Sequence, residues 1–429
     1  MLPESELYKA YLSILQEELI PAMGCTEPIA VAYVAAVARD RLGALPERAV
    51  LEACGNIIKN VRSVVVPNTN GRKGLEAAVA IGFLAGNAEK ALEVLSDVTD
   101  AEKEALSDYL AAPRVTVRAA DCGGKTFYLR LTAFAGGESV SVTMEEMHTN
   151  ITRIEKNGAV VFDKPAGGPE ESDDPKRALL NVRDICDFAD SVRLYDVQPL
   201  IDRQIAYNTA IANEGLAGRW GAEIGRILLR GHEGDPDARA KALAAAGSDA
   251  RMSGCELPVI IVSGSGNQGM TASLPVISYA ETLSASAETL CRALVLSDLV
   301  TVHQKTGIGR LSAFCGAVCA GCGAAAGIAY LHDGRADYTA VAHTVVNALA
   351  IASGRVCAGA KPSCAAKIAI AVDAGLLGYR MYKNGQEFRD GEGIVVKGVD
   401  NTIRNVGRMA HDGMRETDRE ILEIMTEAR

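Results

Sequence analysis

Residues 310–331 read RLSAFCGAVCAGCGAAAGIAYL, and a second cysteine-containing stretch, SGRVCAGAKPSCAAK, follows at residues 353–367. Together they hold five of the eleven cysteines of the chain. The run 311–331 carries no charge and is rich in Gly and Ala, which is typical of a helix buried on all sides and packed closely by other helices. We therefore expect a large helical core around this run.

The same run is long enough to span a bilayer, but its residues are small rather than Leu-, Ile- or Phe-rich, so a buried helix is the better interpretation. The 429 residues are 48% hydrophobic and 23% charged, as in soluble globular proteins. The net charge of −10 argues against a nucleic-acid partner. The N-terminal residues lack a basic segment followed by an apolar one, so we expect a cytoplasmic protein whose cysteines are thiols rather than disulfides.

Periodicity divides the chain into three predicted regions. Residues 1–112 contain helical patterns, including one from Pro46 to about Asn60, and residues 113–163 alternate with a period of two between Gly and Asn turns. Residues 164–429 begin with the polar linker KPAGGPEESDDPKR, expected to be mobile, and are helical nearly to the end, with a possible short hairpin at 388–398. The predicted fold is α+β and predominantly α-helical: a large helical body with a small antiparallel β-sheet insertion.

The cysteine spacing allows two metal-site interpretations. Cys315, Cys319 and Cys322 form CxxxCxxC, as in radical S-adenosylmethionine enzymes, but in a continuous helix the outer two are about 10 Å apart along the axis. Cys315 at a helix start, with Cys357 and Cys364 in a Gly/Pro-broken loop, is a better set of thiolates for a four-iron cluster with one iron open to substrate. The alternative is that these cysteines are ordinary small residues of a tight core.

Three further motifs lie before predicted helices. In Gly24-Cys25-Thr26-Glu27-Pro28, Thr26 is expected to cap the helix, and the helix dipole is expected to lower the pKa of Cys25, making it a candidate base or nucleophile. Without that role, the motif is a capping turn with an incidental cysteine. The loops PNTNGRKG (67–74) and SGSGNQG (263–269) offer free N–H groups to a small anion, or are ordinary turns. Of the six histidines, His303 is the one expected near the cysteine stretch.

In combination, GCTEP, PNTNGRKG, SGSGNQG and the Cys315–Cys357–Cys364 spacing resemble the L-cysteine desulfidase family, which is related to the α subunit of iron–sulfur L-serine dehydratases. The resemblance covers essentially the whole chain. It implies a [4Fe–4S] cluster held by Cys315, Cys357 and Cys364, no pyridoxal phosphate, and Cys25 as the proton acceptor. The implied reaction is β-elimination of L-cysteine to pyruvate, ammonia and hydrogen sulfide. No second α/β segment of the kind needed by the serine enzymes is recognisable, which favours the desulfidase branch.

The two Gly/Asn loops are then expected to bind the carboxylate and amino group of a small amino-acid substrate. The predicted substrate-binding residues are Asn68, Thr69, Ser263, Ser265 and Asn267. We expect a homo-oligomer with no nucleic-acid or membrane partner. Three alternatives remain open: the same chemistry on L-serine or another β-substituted amino acid, a non-catalytic iron–sulfur protein, and a cluster-free binding protein.

Overall fold

The computed structural model describes residues 1–122, 125, 127–164 and 174–427. Helices dominate it, as predicted. Their bounds are α1 (Glu6–Glu18), α2 (Thr26–Leu42), α3 (Gly55–Val61), α4 (Leu75–Ala85), α5 (Asp100–Leu110), α6 (Val182–Ser191), α7 (Leu194–Ala217), α8 (Ile224–Leu229), α9 (Pro236–Met252), α10 (Gly266–Thr282), α11 (Ala287–Thr306), α12 (Ala317–Asp333), α13 (Tyr338–Ala352), α14 (Cys364–Lys383), α15 (Val399–Arg408) and α16 (Arg415–Glu427).

The strands form one larger sheet and one short ribbon. Their bounds are β1 (Pro21–Met23), β2 (Arg48–Ala53), β3 (Val115–Ala119), β4 (Tyr128–Ala135), β5 (Glu138–Glu145), β6 (Ile151–Lys156), β7 (Ala159–Asp163) and β8 (Pro258–Ile260). The larger sheet has the order β3-β2-β4-β5-β6-β7. Its neighbouring strands are antiparallel, as predicted, except that β2 and β3 run parallel.

The core is built around α12, whose residues 317–331 are all buried. Its glycines let neighbouring backbones approach closely. A β-carbon at Gly321 would lie 2.4 Å from the carbonyl oxygen of Ala371 on α14, and one at Gly323 would lie 2.5 Å from the carbonyl oxygen of Ser297 on α11. The small residues of the 311–331 run therefore serve helix-on-helix packing, as the composition indicates.

The ribbon of β1 and β8 joins two distant parts of the chain. Met23 pairs with Pro258 and Pro21 with Ile260. The backbone N–H of Ile261 also donates to the carbonyl of Ile20 over 3.0 Å. Because β1 leads into the Gly24–Pro28 motif and β8 into the Ser263–Gly269 loop, this ribbon places the two motifs side by side.

Two local predictions are wrong. Residues 48–53 form strand β2 rather than helix, because alternate side chains (Ala49, Leu51 and Ala53) are buried against the helical layer; helix α3 begins only at Gly55. The larger sheet is therefore not confined to residues 113–163. Residues 388–398 contain no strand. Side-chain oxygens accept hydrogen bonds from their backbone N–H groups instead; the N–H of Phe388, for example, donates to Oδ1 of Asn347 over 3.0 Å.

The predicted mobile linker lies mainly outside the described residues, since 165–173 are not among them. Within the part of the chain that the structure describes, no helix is both long and apolar enough to cross a membrane.

Candidate active site

A cavity of about 110 Å³ lies where the two cysteine stretches meet α2, α3 and the start of α10. It brings together residues that are up to 343 positions apart in the chain, from Cys25 to Ile368. Its thiol-bearing and charged lining residues are Cys25, Glu27, Lys59, Arg251, Lys305, Arg310, Cys315, Cys357, Cys364 and Lys367. All four cysteines singled out from the sequence therefore line one cavity.

Backbone pairing fixes two of the three predicted ligand cysteines. The N–H of Cys315 donates to the carbonyl of Arg355 over 3.0 Å, and the N–H of Cys357 donates to the carbonyl of Ala313 over 2.6 Å. Cys315 comes two residues before α12, and Cys364 is the first residue of α14. The three side chains are free thiols, with Cys315 buried and the other two half-buried. Cys315 and Cys364 therefore lie at the starts of core helices, and Cys357, in the connection between α13 and α14, is held by backbone pairing to the segment before α12.

The three thiols lie close enough to influence one another's ionisation. Burial, together with the neighbouring Cys357 and Cys364, raises the pKa of Cys315 to about 11. Burial also raises the pKa of Cys364, with Cys357 contributing in the same direction. Three thiolates at this place therefore need a positively charged centre among them, because burial and mutual repulsion both oppose ionisation.

The donor set fits a cluster better than a single ion. Among the described residues, no three His, Cys, Asp or Glu side chains have the geometry to hold one metal ion. In a four-iron cluster each cysteine binds a different iron, so the cysteine sulfur atoms lie further apart than the ligands of one ion. The wall beside the thiols is made of small residues, Gly316, Ala317, Gly359 and Ala360. Thiols as the ligating groups, together with this small-residue wall, are compatible with an iron–sulfur cluster.

Cys25 occupies the N-cap position of α2 and is 3% exposed. Gly24 before it has a φ of +59°, and a β-carbon there would lie 2.2 Å from Cγ of Pro67, so the PNTNGRKG loop packs directly behind Cys25. Thr26 is not the cap; its hydroxyl donates to the carbonyl of Gly264 over 3.0 Å. This contact ties Cys25 to the loop before α10.

The predicted lowering of the Cys25 pKa is wrong. Burial raises it well above its ordinary value, and the carboxylate of Glu27 adds to the effect. The Cys25 Sγ–H group donates to Oε2 of Glu27 over 3.0 Å. Desolvation and the nearby negative charge therefore outweigh the helix dipole. The raised pKa and the hydrogen bond to the Glu27 carboxylate both favour the protonated thiol.

Glu27 is held in its ionised form by several donors. Nδ2 of Asn60 donates to Oε1 over 2.9 Å, and Nε2 of His148 lies 3.9 Å from the same oxygen, too far for a hydrogen bond. Burial opposes ionisation, but His148 and the Cys25 thiol outweigh it and lower the pKa of Glu27 to about 2. Glu27 is thus a buried carboxylate next to the candidate base.

The SGSGNQG loop contributes two of its predicted residues to the cavity. Ser265 is the N-cap of α10, and both Ser265 and Asn267 line the cavity. Ser263 is not among the described lining residues of the cavity. It has a φ of +48° and lies in the turn closed by the backbone bridge between Val262 and Ser265. Gly264 between them has a φ of +72°, a conformation that favours glycine.

The predicted residues of the PNTNGRKG loop bond backbone carbonyls of residues that are not among the described lining of the cavity. Nδ2 of Asn68 donates to the carbonyl of Leu95 over 2.7 Å, and the hydroxyl of Thr69 donates to the carbonyl of Val66 over 2.6 Å. Neither residue is among the described lining residues of the cavity. The loop supports Cys25 from behind.

Sequence reasoning missed several polar residues of the site. Arg251, in the last turn of α9, and Gln268, in the first turn of α10, line the cavity and are 1% and 6% exposed. No motif marks Arg251, whereas Glu27 and Gln268 lie inside motifs that were singled out for other residues. His148, rather than His303, approaches the site: Nε2 of His303 bonds Oδ1 of Asp400 over 2.8 Å instead.

Cys319 and Cys322 lie inside α12 and are 0% and 1% exposed. Neither lines the cavity among the described residues. Burial raises the pKa of Cys319 to about 12. Their positions favour a packing role.

Comparison with known proteins places the chain among bacterial relatives. A family model described as "Serine dehydratase alpha chain" matches residues 89–423, a range that includes Arg251 and the three clustered cysteines but not Cys25. The UPF0597 protein of Desulfitobacterium hafniense (strain Y51) is 58% identical over 425 residues, which cover 98% of this chain and 97% of the relative. The UPF0597 protein of Lachnoclostridium phytofermentans is 47% identical over 421 residues, covering 98% and 100%. That of Bacteroides fragilis is 37% identical over 424 residues, covering 97% and 98%.

Proposed function

The chain belongs to the serine dehydratase alpha chain family, and on this basis we propose that it is an iron–sulfur-dependent lyase acting on a small β-substituted amino acid, with L-cysteine as its substrate. The overall reaction takes L-cysteine and water to pyruvate, ammonia and hydrogen sulfide. The observation that carries the proposal is the convergence of Cys25 with Cys315, Cys357 and Cys364 on one cavity.

In this proposal, Cys315, Cys357 and Cys364 hold a [4Fe–4S] cluster. When bound, the cluster supplies an iron without a protein ligand, a Lewis acid for the substrate. The Gly and Ala residues of the cavity wall leave room beside the three thiols.

Cys25 is the proposed proton acceptor. Its thiol donates to Oε2 of Glu27, which gives the proton a hydrogen-bonded path to the carboxylate. Because the pKa of Cys25 is raised and that of Glu27 is low, this transfer is uphill in free energy and contributes to the barrier of the reaction. The resulting thiolate removes the proton from Cα of the substrate and becomes a thiol again, the electron pair of the broken Cα–H bond forms the Cα=Cβ double bond, and the bond from Cβ to sulfur breaks. The leaving sulfide takes up the proton held by Glu27, which restores the carboxylate. Aminoacrylate leaves the cavity and is hydrolysed to pyruvate and ammonia.

Glu27 and its partners set the protonation of Cys25. Because Asn60 and His148 approach Oε1, Oε2 remains available to the thiol. All four side chains, those of Cys25, Glu27, Asn60 and His148, are buried, which excludes water from the exchange. Ser265 and Asn267, at the start of α10, are the loop residues placed to contact substrate.

L-Serine is the second candidate substrate, favoured by the description of the matching family. The same residues would serve either substrate, because only the leaving group differs. Anaerobically purified protein should be assayed with L-cysteine and L-serine at equal concentrations. We expect equal amounts of sulfide and pyruvate from L-cysteine and a higher kcat/KM than for L-serine. A higher kcat/KM for L-serine would assign the second function, and an iron-containing protein that converts neither would contradict both.

We also propose that the chain forms a homo-oligomer and uses no nucleic-acid or membrane partner. Ile370 and Leu377, seven residues apart on one face of α14, are 52% and 48% exposed. Light scattering after anaerobic size-exclusion chromatography measures the mass of the assembly, and a monomer at micromolar concentration would contradict this proposal.

A further inference from the structure

Several residues that line the cavity have buried polar atoms without a hydrogen-bond partner among the described residues. Nε and Nη2 of Arg251 are buried donors without a hydrogen-bond partner among the described residues. The side-chain oxygens of Asn56, Asn60 and Gln268 are buried acceptors, likewise without a partner there. Buried polar groups are almost always paired in native proteins, so such a set calls for a ligand that supplies the missing partners.

The unpaired groups are of two complementary kinds. The donors belong to a guanidinium, whose planar fork matches a carboxylate. The acceptors are amide oxygens, which suit an ammonium group. We propose that the cavity recognises the zwitterion of an α-amino acid, with Arg251 binding the carboxylate and Gln268, Asn56 and Asn60 accepting from the ammonium. This inference deepens the proposed function and rests on it for the identity of the reaction.

Arg251 is held in place for this task. Its Nη1 donates to Oδ1 of Asn267 over 3.3 Å, which leaves Nε and Nη2 for a ligand. Gly266 makes room for it, since a β-carbon there would lie 2.5 Å from Nε of Arg251. The guanidinium also lies at the N-terminal end of α10, where free N–H groups favour an anion. A carboxylate placed here meets both sources of positive charge.

The acceptors approach from two helices. Asn56 and Asn60 are four residues apart on α3, and Asn60 also donates to Glu27, so its side-chain oxygen is the end left unpaired. Gln268 is in the first turn of α10 and packs against Gly316, where a β-carbon would lie 2.7 Å from its Oε1. Gly316 follows Cys315, so the proposed ammonium site adjoins the clustered cysteines.

The test measures binding rather than turnover. Calorimetric titration of anaerobically purified protein uses L-alanine, which has no β-leaving group, alongside L-alaninamide, which lacks the carboxylate, and L-lactate, which lacks the ammonium. The native protein should bind L-alanine in preference to both analogues. Arg251→Met should weaken L-alanine binding about 10-fold or more, the value of a charged hydrogen bond, and should abolish the preference over L-alaninamide. Gln268→Leu should reduce the preference over L-lactate.

Arg203→Met is the matched control. Arg203 also has an unpaired buried Nε, but it bonds the carbonyl of Leu19 and is not a described lining residue of the cavity. This variant should bind all three compounds as the native protein does. Absence of L-alanine binding to the native protein, or an unchanged preference over L-alaninamide in Arg251→Met, would overturn the inference.

Failure of this inference is distinguishable from failure of the proposed function. If native protein releases sulfide from L-cysteine but Arg251→Met keeps its preference for L-alanine, the recognition residues are wrong and the reaction stands. If native protein converts no amino acid but Arg251→Met loses that preference, the recognition site stands and the reaction is wrong.

Discussion

The thiol of Cys25 donates a hydrogen bond of 3.0 Å to Oε2 of Glu27, two residues further along the chain. This contact places a candidate base and the acceptor of its proton within one helical turn, at the wall of the cavity that also contains the three clustered cysteines. The relationship makes Glu27 as important to the proposed chemistry as the cysteine itself.

Replacing Glu27 by Gln should lower kcat for sulfide release by about 10²–10⁴-fold, the usual contribution of acid–base assistance, because the amide does not take up the proton of Cys25. Iron content should stay at the native level, since Glu27 is not a proposed ligand. Anaerobic assays of sulfide and bound iron on the same preparation check both statements.

Asp298→Asn is the matched control for Glu27→Gln, because it also removes a fully buried carboxylate but lies outside the described lining of the cavity. The control should retain native kcat. If Glu27→Gln turns over as fast as the control, Glu27 does not accept the proton of Cys25.

Single replacements of Cys315, Cys357 and Cys364 by Ala should each lower the iron content of anaerobically purified protein severalfold, because a four-iron cluster held by three thiolates loses a third of its protein ligands. Iron and acid-labile sulfide per chain provide the measurement. Cys319→Ala and Cys322→Ala are the matched controls, since both thiols are buried inside α12. If the controls lose iron while Cys357→Ala keeps native iron, the proposed ligands are wrong, and the cluster is held by the CxxxCxxC residues Cys315, Cys319 and Cys322 instead.

Gly321→Ala should reduce the free energy of unfolding by about 1–3 kcal/mol, because the added β-carbon would lie 2.4 Å from the backbone oxygen of Ala371 and force α12 away from α14. Gly354→Ala is the control, as a β-carbon there meets no atom within 4 Å. Thermal unfolding of both variants measures the difference. Equal unfolding midpoints in the two variants would mean that a β-carbon at position 321 fits between α12 and α14 without separating the helices.

Asp298 should make the protein less stable as the pH rises. Burial raises its pKa to about 7 in the folded protein, although Gln204 opposes this, while the pKa in the unfolded chain is about 3.8. A carboxyl with a raised folded pKa contributes stability below the unfolded pKa and loses it as the pH rises from about 4 to about 7. Asp298→Asn should therefore match the native midpoint near pH 4 and exceed it at pH 8. A variant less stable than native at pH 8 would contradict this assignment.

Much of the fold was predictable because its signals are local. The alternation in residues 113–163 predicts β3–β7, and the small-residue run predicts α12. Strand β2 was missed because Ala49, Leu51 and Ala53 also suit a helix, and only pairing with β3 and β4 makes them strand. Such long-range pairing is not visible in a six-residue segment.

The candidate site was partly predictable for the same reason. Cys25, Ser265 and Asn267 follow from motifs at helix starts, and the cavity includes them. No sequence motif marks Arg251, because its place in the cavity depends on contacts with residues of another helix. It packs against Gly266 and donates a hydrogen bond to Asn267. The protonated state of Cys25 likewise depends on burial, which the motif alone does not reveal.

The proposed role of Cys25 is tested by sulfide release from Cys25→Ala, measured anaerobically on a preparation whose iron content is determined in parallel. We expect this variant to keep native iron and to bind L-alanine but to release no sulfide or pyruvate from L-cysteine above the uncatalysed background. Native turnover in Cys25→Ala, or loss of its iron, would contradict the assignment of Cys25 as the proton acceptor beside a cluster held by Cys315, Cys357 and Cys364.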